Sequence, residues 1–533
     1  MNDIRRTILW VIFGFAVVLL WDKWQVHNGN EAMFFPVPKP AASAAAPASA
    51  PAIPSSVPNA VPNAATNNAG AIPGALPAAS GGQPPIGALG TLPSGAGTAP
   101  TPARESIVVS TDVLKLTFDS EGGGIIRSEF IKHTADNRTS TFVLLDKSAE
   151  RVYLAESGLV SATPQGLPNH RSPMTFSGEK QLKDGAGELV VKFESQPIGG
   201  IKLVKTYTLR RGAYDIAVRH DAVNVSGEPV SAQLYVQLVR DGNKLPGESS
   251  FYSTFTGPAV YTETQKFQKI EFADIKKNKA EYEKEATTGY IAMVQHYFAS
   301  AWILPEGMKR TLMLGGVNIG ENLADCCYRV TALGPMEPVA PGATKTIEAK
   351  LFIGPQEEKL LEAIAPGLDL VKDYGWLTIL AKPLYWLLEK LHSFLQNWGW
   401  SIVALVLLLK IAFYWLNAKA YSSMAKMKAI NPRIMEMRDR LKDNPQQMQQ
   451  EMMRIYREEK VNPMGGCFPI MIQIPVFIAR YWVLLSSVEM RNAPWALWIK
   501  DLSAPDPYFI LPIVMTLTTL LQTALNPAPP DPL

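Results

Sequence analysis

The sequence predicts a multi-domain integral membrane protein: an α-helical transmembrane core joined to a large antiparallel β-sandwich, of supersandwich size. Three observations predict it. Four strongly apolar runs occur, one at the N-terminus and three after residue 396. Residues 105–355 alternate apolar and polar side chains, with turn signals between the runs. A charge-free, proline-rich segment separates the first apolar run from that alternating region. The 533 residues are 47% hydrophobic and 19% charged, below the roughly 25% charge of an average soluble protein. A net charge of +3 excludes a strongly basic nucleic-acid binder, and three cysteines exclude a small disulfide scaffold.

Residues 1–24 read as an uncleaved N-terminal anchor. Arg5 and Arg6 precede the charge-free run Thr7–Trp21. Asp22-Lys23-Trp24 closes the run where a signal peptide would carry a small-x-small cleavage site. The paired arginines place the N-terminus in the cytoplasm. Residues 25–104 read as a disordered linker. Fifteen of the 42 prolines fall between Pro36 and Pro102, and no charge occurs from Pro40 to Ala103. Such a segment buries too little apolar surface to offset its conformational entropy, so a semi-flexible tether is expected.

Residues 105–355 read as the sandwich. Leu114, Leu116 and Phe118 alternate with Lys115 and Thr117, and Tyr214, Ile216 and Val218 with Asp215 and Ala217. A period of two puts one set on a buried face. Turn signals such as Glu121-Gly122-Gly123-Gly124 and Ser226-Gly227-Glu228-Pro229 separate the strands. Asp274–Glu285 is expected as a charged helix or loop on the surface. Residues 356–396 turn helical. After a short helix from Glu357, the stripe Leu384, Leu387, Leu388, Leu391 and Leu395, with Trp376, Tyr385 and Trp386, fits an amphipathic helix at a membrane surface or one packed on the sandwich.

Three spans follow, at 397–418, 464–488 and 507–525. A cytoplasmic helical hairpin at 419–463 and an external loop at 489–506 join them, and 526–533 form a cytoplasmic end. Lys419–Lys460 holds ten Lys/Arg and six Asp/Glu, whereas Glu489–Pro507 holds two and three. The positive-inside rule therefore puts the hairpin in the cytoplasm, in agreement with a cytoplasmic N-terminus and an external sandwich.

Lys410 lies inside an apolar run, roughly 18 Å along the helix from Trp398. An ammonium there costs about 2.5–3.5 kcal/mol on insertion scales. Two readings stand: it snorkels to the cytoplasmic headgroups, or it lines a water-filled cavity. Arg480 poses the same question one span later, with outward snorkelling expected. In the hairpin, Asn431-Pro432 and Asp443-Asn444-Pro445 are expected to start two helices. Met448, Met452, Ile455 and Tyr456 make a stripe, with Met424, Met427, Met435 and Met437 nearby. They offer a pliable surface to varied apolar partners, or fill the seam between the two helices. Pro469, Pro475 and Pro512 kink spans, and the polar Gln473 suits a cavity wall. No GxSxG, Walker A or HExxH pattern occurs, and the six histidines and Cys326, Cys327 and Cys467 form no ligand spacing. No enzyme, metal site or cofactor is expected.

Asn397-Trp-Gly-Trp-Ser401, Lys410, Ser423-Met-Ala-Lys-Met427, Glu451-Met-Met453, Lys460-Val-Asn-Pro-Met-Gly-Gly-Cys-Phe-Pro469, Ser487-Val-Glu-Met-Arg491, Ala496-Leu-Trp498 and Asp501-Leu-Ser503 together resemble the YidC/Oxa/Alb family of membrane insertases. Gly289–Trp302 in the sandwich extends the resemblance to the long Gram-negative form. The resemblance implies a non-enzymatic inner-membrane protein with a periplasmic sandwich, which inserts, folds and assembles membrane proteins alone or with the Sec translocon. It implies a hydrophilic groove whose basic residue is Lys410, with Val406 one turn before it and with Gln473 and Pro475 on the span that substrates slide along. It implies that the hairpin, with Met424, Met427, Met448, Met452 and Tyr456, recruits substrate. The implied partners are nascent inner-membrane proteins, the Sec translocon, ribosome and signal-recognition components, and membrane lipids, with no DNA. Trp415, Arg480 and Val406 depart from the family's usual residues. The family continues with two further spans and a basic tail, so this chain is expected to lack its last two transmembrane helices. The alternative is a membrane-anchored periplasmic sandwich that binds a sugar or peptide.

Overall fold

The computed structural model describes residues 104–135, 140–161, 166–244, 254–317, 327–441, 444–459 and 468–525. The expected anchor, the linker up to residue 103, Cys326, Cys467 and the segment 526–533 lie outside the described residues. Among those described, two antiparallel sheets of ten and nine strands face each other. The alternation read from the sequence is what builds them. In the strand Leu114–Asp119, Leu114, Leu116 and Phe118 are buried, with exposed Lys115 between the first two. In Asp215–Asn224, Ile216 and Val218 are buried while Ala217 and Arg219 are exposed. The inner faces meet in one core in which Phe118, Phe193 and Tyr207 contact edge to face or tilted, at centroid distances of 5.0–5.9 Å. Trp302 is buried in the same core, and its indole N–H donates to the Gln237 carbonyl at 3.1 Å.

The hairpin of Tyr290–Gln295 and Phe298–Ile303 is buried on both faces. The chain leaving the sandwich covers its second face: Leu361, Leu368 and Val371 join the sandwich core. Tyr261 stacks on Tyr290 at 5.3 Å, and the Tyr290 hydroxyl donates to the Gly367 carbonyl at 2.8 Å. Gly367 has φ 73°, and a Cβ there would come within 2.4 Å of the Tyr261 ring, so only glycine fits.

The core also encloses polar groups. Lys205 is fully buried, and its ammonium donates to the carbonyls of Ser157 (2.6 Å) and Gly122 (2.7 Å). Burial lowers its pKa to about 7, against a smaller raising pull from Glu156. Cys327, buried with Val152, Leu154 and Val239, is disulfide-bonded; both other cysteines fall outside the described residues.

Helix α1 (Phe272–Lys276) overlaps only the start of the charged stretch Asp274–Glu285 expected on the sandwich surface, and its Ile275 is buried. The helical region begins with α2 (Glu358–Ile364) and continues with α3 (Thr378–Leu395), α4 (Trp398–Ala412), α5 (Tyr414–Arg440), α6 (Pro445–Glu458), α7 (Phe468–Ser486) and α8 (Ile510–Leu525). Two expectations need correction. The first span does not run unbroken: Phe413 leaves helical backbone values (φ −90°, ψ 4°), and the chain bends by 56° between α4 and α5. Neither proline nor glycine stands there, and nothing in the sequence marks the break. Conversely, Pro432 starts no helix but sits inside α5. Ile430 and Ile434 on either side are buried against Ile455 of α6, and this packing offsets the backbone bond that proline removes. The second hairpin helix starts as read. Asn444 accepts from the Gln447 N–H at 3.4 Å, with Pro445 in the first turn.

Among the described residues no single helix is long and apolar enough to cross a membrane. Trp398–Ala412 and Tyr414–Met427 reach that length and composition together across the bend, and Met471–Ser486 and Ile510–Leu525 are shorter apolar helices.

Candidate functional site

Helices α3, α4 and α7 share a small core of Leu384, Leu388, Leu405, Ala479 and Val483, flanked by Leu387, Leu391, Ile402, Leu409 and Val476. The leucine stripe of α3 is thus spent on its neighbours as far as Leu391, at the core of the three-helix group, while Leu395 is exposed. Its opposite face leaves Ile379, Trp386 and Phe394 exposed. The small core fixes how α4 and α7 meet. Lys410 occupies the last turn of α4, where a cation complements the helix dipole. Its ammonium lies 5.6 Å from the centre of the Phe477 ring on α7, within cation–π range. Gln473 and Arg480 stand four residues before and three after Phe477, so all three fall on one face of α7. Gln473, Pro475 and Val406 are half-buried, while Lys410 is exposed. The structure therefore brings Lys410 to the helix that carries Gln473 and Pro475. Around this face the apolar side chains Leu407, Leu408, Ile411, Ile474 and Ile478 are exposed.

Arg480 does not reach towards the far end of α7. Its guanidinium lies 5.3 Å from the same Phe477 ring, back along the helix. Helical Cα–Cβ bonds tilt towards the N-terminus, which directs a long side chain that way. Its Nε is buried without a hydrogen-bond partner.

The position of α7 is set from its other end, a feature the sequence did not disclose. Lys372, fully buried, pairs with Glu489 at 3.2 and 3.4 Å, and its ammonium sits 4.0 Å over the Tyr385 ring of α3. The Tyr385 hydroxyl donates to the same carboxylate at 2.6 Å. Burial, then the Glu489 charge, raise the Tyr385 pKa and keep the phenol protonated. Two residues on, Arg491 donates to the Thr134 carbonyl at 2.9 Å and lies 5.3–6.0 Å from the rings of Phe142, Tyr297 and Phe298 in the sandwich. His296 Nε2 meets the Leu485 carbonyl at 2.8 Å. The start of α4 is tied to the same loop. The Asn397 side chain caps the Trp400 N–H at 3.1 Å and donates to the Trp495 carbonyl at 3.1 Å. Gly399 gives Trp495 room, since a Cβ there would come within 2.2 Å of the indole.

The hairpin's methionines mostly face inward. Met427, Met448, Met452 and Tyr456 pack against Ile430, Ile434, Met437 and Ile455 in the seam between α5 and α6. The Met424 side chain lies outside the described residues. Met435 and Met453 are the hairpin methionines found exposed among those described. One group of carboxylates, Glu358, Glu362 and Asp369, is close enough to hold a cation. Two of its members are already engaged: Asp369 by Lys382 at 2.6 Å, and Glu358 by the Tyr374 hydroxyl at 2.9 Å.

Residues 106–387 match the family model described as the YidC periplasmic domain, and residues 390–533 the one described as 60Kd inner membrane protein. Curated relatives named membrane protein insertase YidC include those of Cupriavidus necator (49% identical), Cupriavidus taiwanensis (50%) and Ralstonia nicotianae (50%). Each alignment covers 99% of this chain and 90% of the relative. A galactose mutarotase related enzyme from Lactobacillus acidophilus overlies 47% of this chain and 97% of its own, at 9% identity and a TM-score of 0.31, a likeness too low to carry an argument. On the family models and these relatives, the chain belongs to the YidC family of membrane protein insertases, non-enzymatic inner-membrane proteins with a periplasmic domain.

Proposed function

We propose that this chain inserts nascent membrane proteins across the face where Lys410 of α4 meets α7. The ammonium attracts the polar or acidic part of an incoming segment, Gln473 offers it hydrogen bonds, and Val406 and Pro475 line the same path. The apolar part of the segment then moves into lipid past the exposed side chains of α4 and α7. The observation that carries this reading is a lysine at the end of an apolar helix, held against Phe477, with no carboxylate within ion-pair distance among the described residues. Such a cation is costly in lipid unless water or a ligand reaches it.

On this reading residues 1–24 anchor the chain, 25–104 tether the sandwich, and the spans are 397–418, 464–488 and 507–525, with N-terminus and hairpin in the cytoplasm. The bent α4–α5 pair has the length the first of these spans needs. The hairpin receives substrate from the ribosome or signal-recognition components through its outer surface, including Met435 and Met453, while its inward methionines hold the two helices together. On this reading the chain works alone or beside the Sec translocon.

A photo-crosslinker placed at Gln473 or at Val406 is expected to capture a ribosome-stalled membrane protein segment. Capture of lipid alone at both positions would sink the groove reading.

A further inference from the structure

We propose that Arg480 is a second cation of the insertion face, and that this face selects segments bearing two carboxylates within one helical turn. The proposal rests on the role given to Lys410 above. Four observations carry it. The Lys410 ammonium and the Arg480 guanidinium, from two different helices, lie 5.6 and 5.3 Å from the centre of one ring, that of Phe477. Neither has a carboxylate in ion-pair range among the described residues, whereas sandwich cations such as Lys115, Arg127, Lys147 and Arg210 do. The Nε of Arg480 is buried and unbonded, a donor that lacks an acceptor. Gln473, one turn before Phe477 on the same face, extends the polar strip along α7.

The chemistry follows from the geometry. A single carboxylate meets one of the two cations and leaves the other uncompensated in an apolar setting. Two carboxylates at i and i+3 or i+4 of a segment project on one side, spaced by about one turn, and can engage both. Guanidinium differs from ammonium in offering a planar fork that binds carboxylate through two parallel hydrogen bonds. Arg480 therefore adds directional recognition to the point charge of Lys410.

The test uses inner-membrane vesicles carrying the full chain, with Arg480→Gln, Arg480→Lys and Lys410→Gln as variants. Three versions of one single-span substrate carry no aspartate, one aspartate, or two aspartates four residues apart in the translocated tail. Protease protection reads the inserted fraction. Arg480→Gln is expected to lower insertion of the two-aspartate substrate relative to the one-aspartate substrate by about tenfold, the worth of one charged hydrogen bond. Arg480→Lys is expected to recover part of that ratio. An unchanged ratio in Arg480→Gln overturns the proposal, whether insertion of all three substrates falls together, as a lipid-phosphate or purely structural role would give, or none falls. If Lys410→Gln alters no substrate, the groove reading itself fails. If Lys410→Gln discriminates against the acidic substrates while Arg480→Gln does not, only the second-cation proposal fails.

Discussion

The sandwich and the helical region handle apolar side chains in opposite ways. In the sandwich they are enclosed: Trp302 is 1% exposed and Leu351 not at all. In α8 no residue is buried, and Leu517 is 59% exposed. The polar groups reverse the pattern. Lys205 and His220 are sealed inside the sandwich, whereas Lys410 lies open on the helices. A water-facing domain must hide hydrocarbon and satisfy what polar groups it buries. On the proposed reading the helical region meets lipid, which lets hydrocarbon stay outside and keeps polar groups for work.

The contrast can be broken most directly by substitution at matched sites. Trp302→Ala is expected to lower sandwich stability by about 3–5 kcal/mol in denaturant unfolding. Leu517→Ala should change stability by no more than about 0.5 kcal/mol, as at a surface site. Leu517→Lys, harmless if α8 met water, should instead reduce membrane integration of that helix, at a cost of about 2.5–3.5 kcal/mol on insertion scales. Normal integration of the lysine variant, read by cysteine accessibility, would erase the distinction between the two regions.

Where the two regions join, a buried ion pair, Lys372 with Glu489, links them. Glu489→Gln strands Lys372 in a dry site and should destabilise the contact by about 3–5 kcal/mol, measured by urea unfolding and by protease nicking near Ser487. Lys372→Met combined with Glu489→Leu should restore most of the loss. If the double variant is as weak as the single one, the pair is not what holds the junction.

A further contrast concerns pH. The Lys205 pKa is lowered in the folded state from 10.5 to about 7 by burial, so the unfolded chain binds the extra proton between those values. Below about 7 the fold carries the full penalty of a buried charge, and stability should rise as pH climbs from about 7 towards 10.5. Lys205→Met should flatten that rise in thermal melts across the window. A slope equal to that of the unsubstituted protein would show that another group titrates there.

The sandwich strands were legible because alternation is a local signal. Leu114-Lys115-Leu116-Thr117-Phe118 needs no distant partner to be read, and the helix start at Asn444-Pro445 is equally local. Pro432 misled for the complementary reason: its cost is real, but Ile430, Ile434 and Ile455 outweigh it, and that packing is tertiary. The Phe413 break carries no breaker residue. The pairing of Lys372 with Glu489 joins positions 117 residues apart, so the sequence offers the two charges with nothing to link them. Lys410 stood out as a charge in an apolar run. That it shares Phe477 with Arg480 depends on how α4 and α7 cross, which Leu405, Ala479 and Val483 decide.

Arg491 gives the sandwich a mechanical role. Its guanidinium is gripped by the Thr134 carbonyl and three aromatic rings, while Glu489, two residues earlier, is fastened to Lys372 and Tyr385. The C-terminal end of α7 is thus stitched to the sandwich side of the molecule at three successive points, Leu485, Glu489 and Arg491, so that this end of the helix cannot shift without breaking a charged contact.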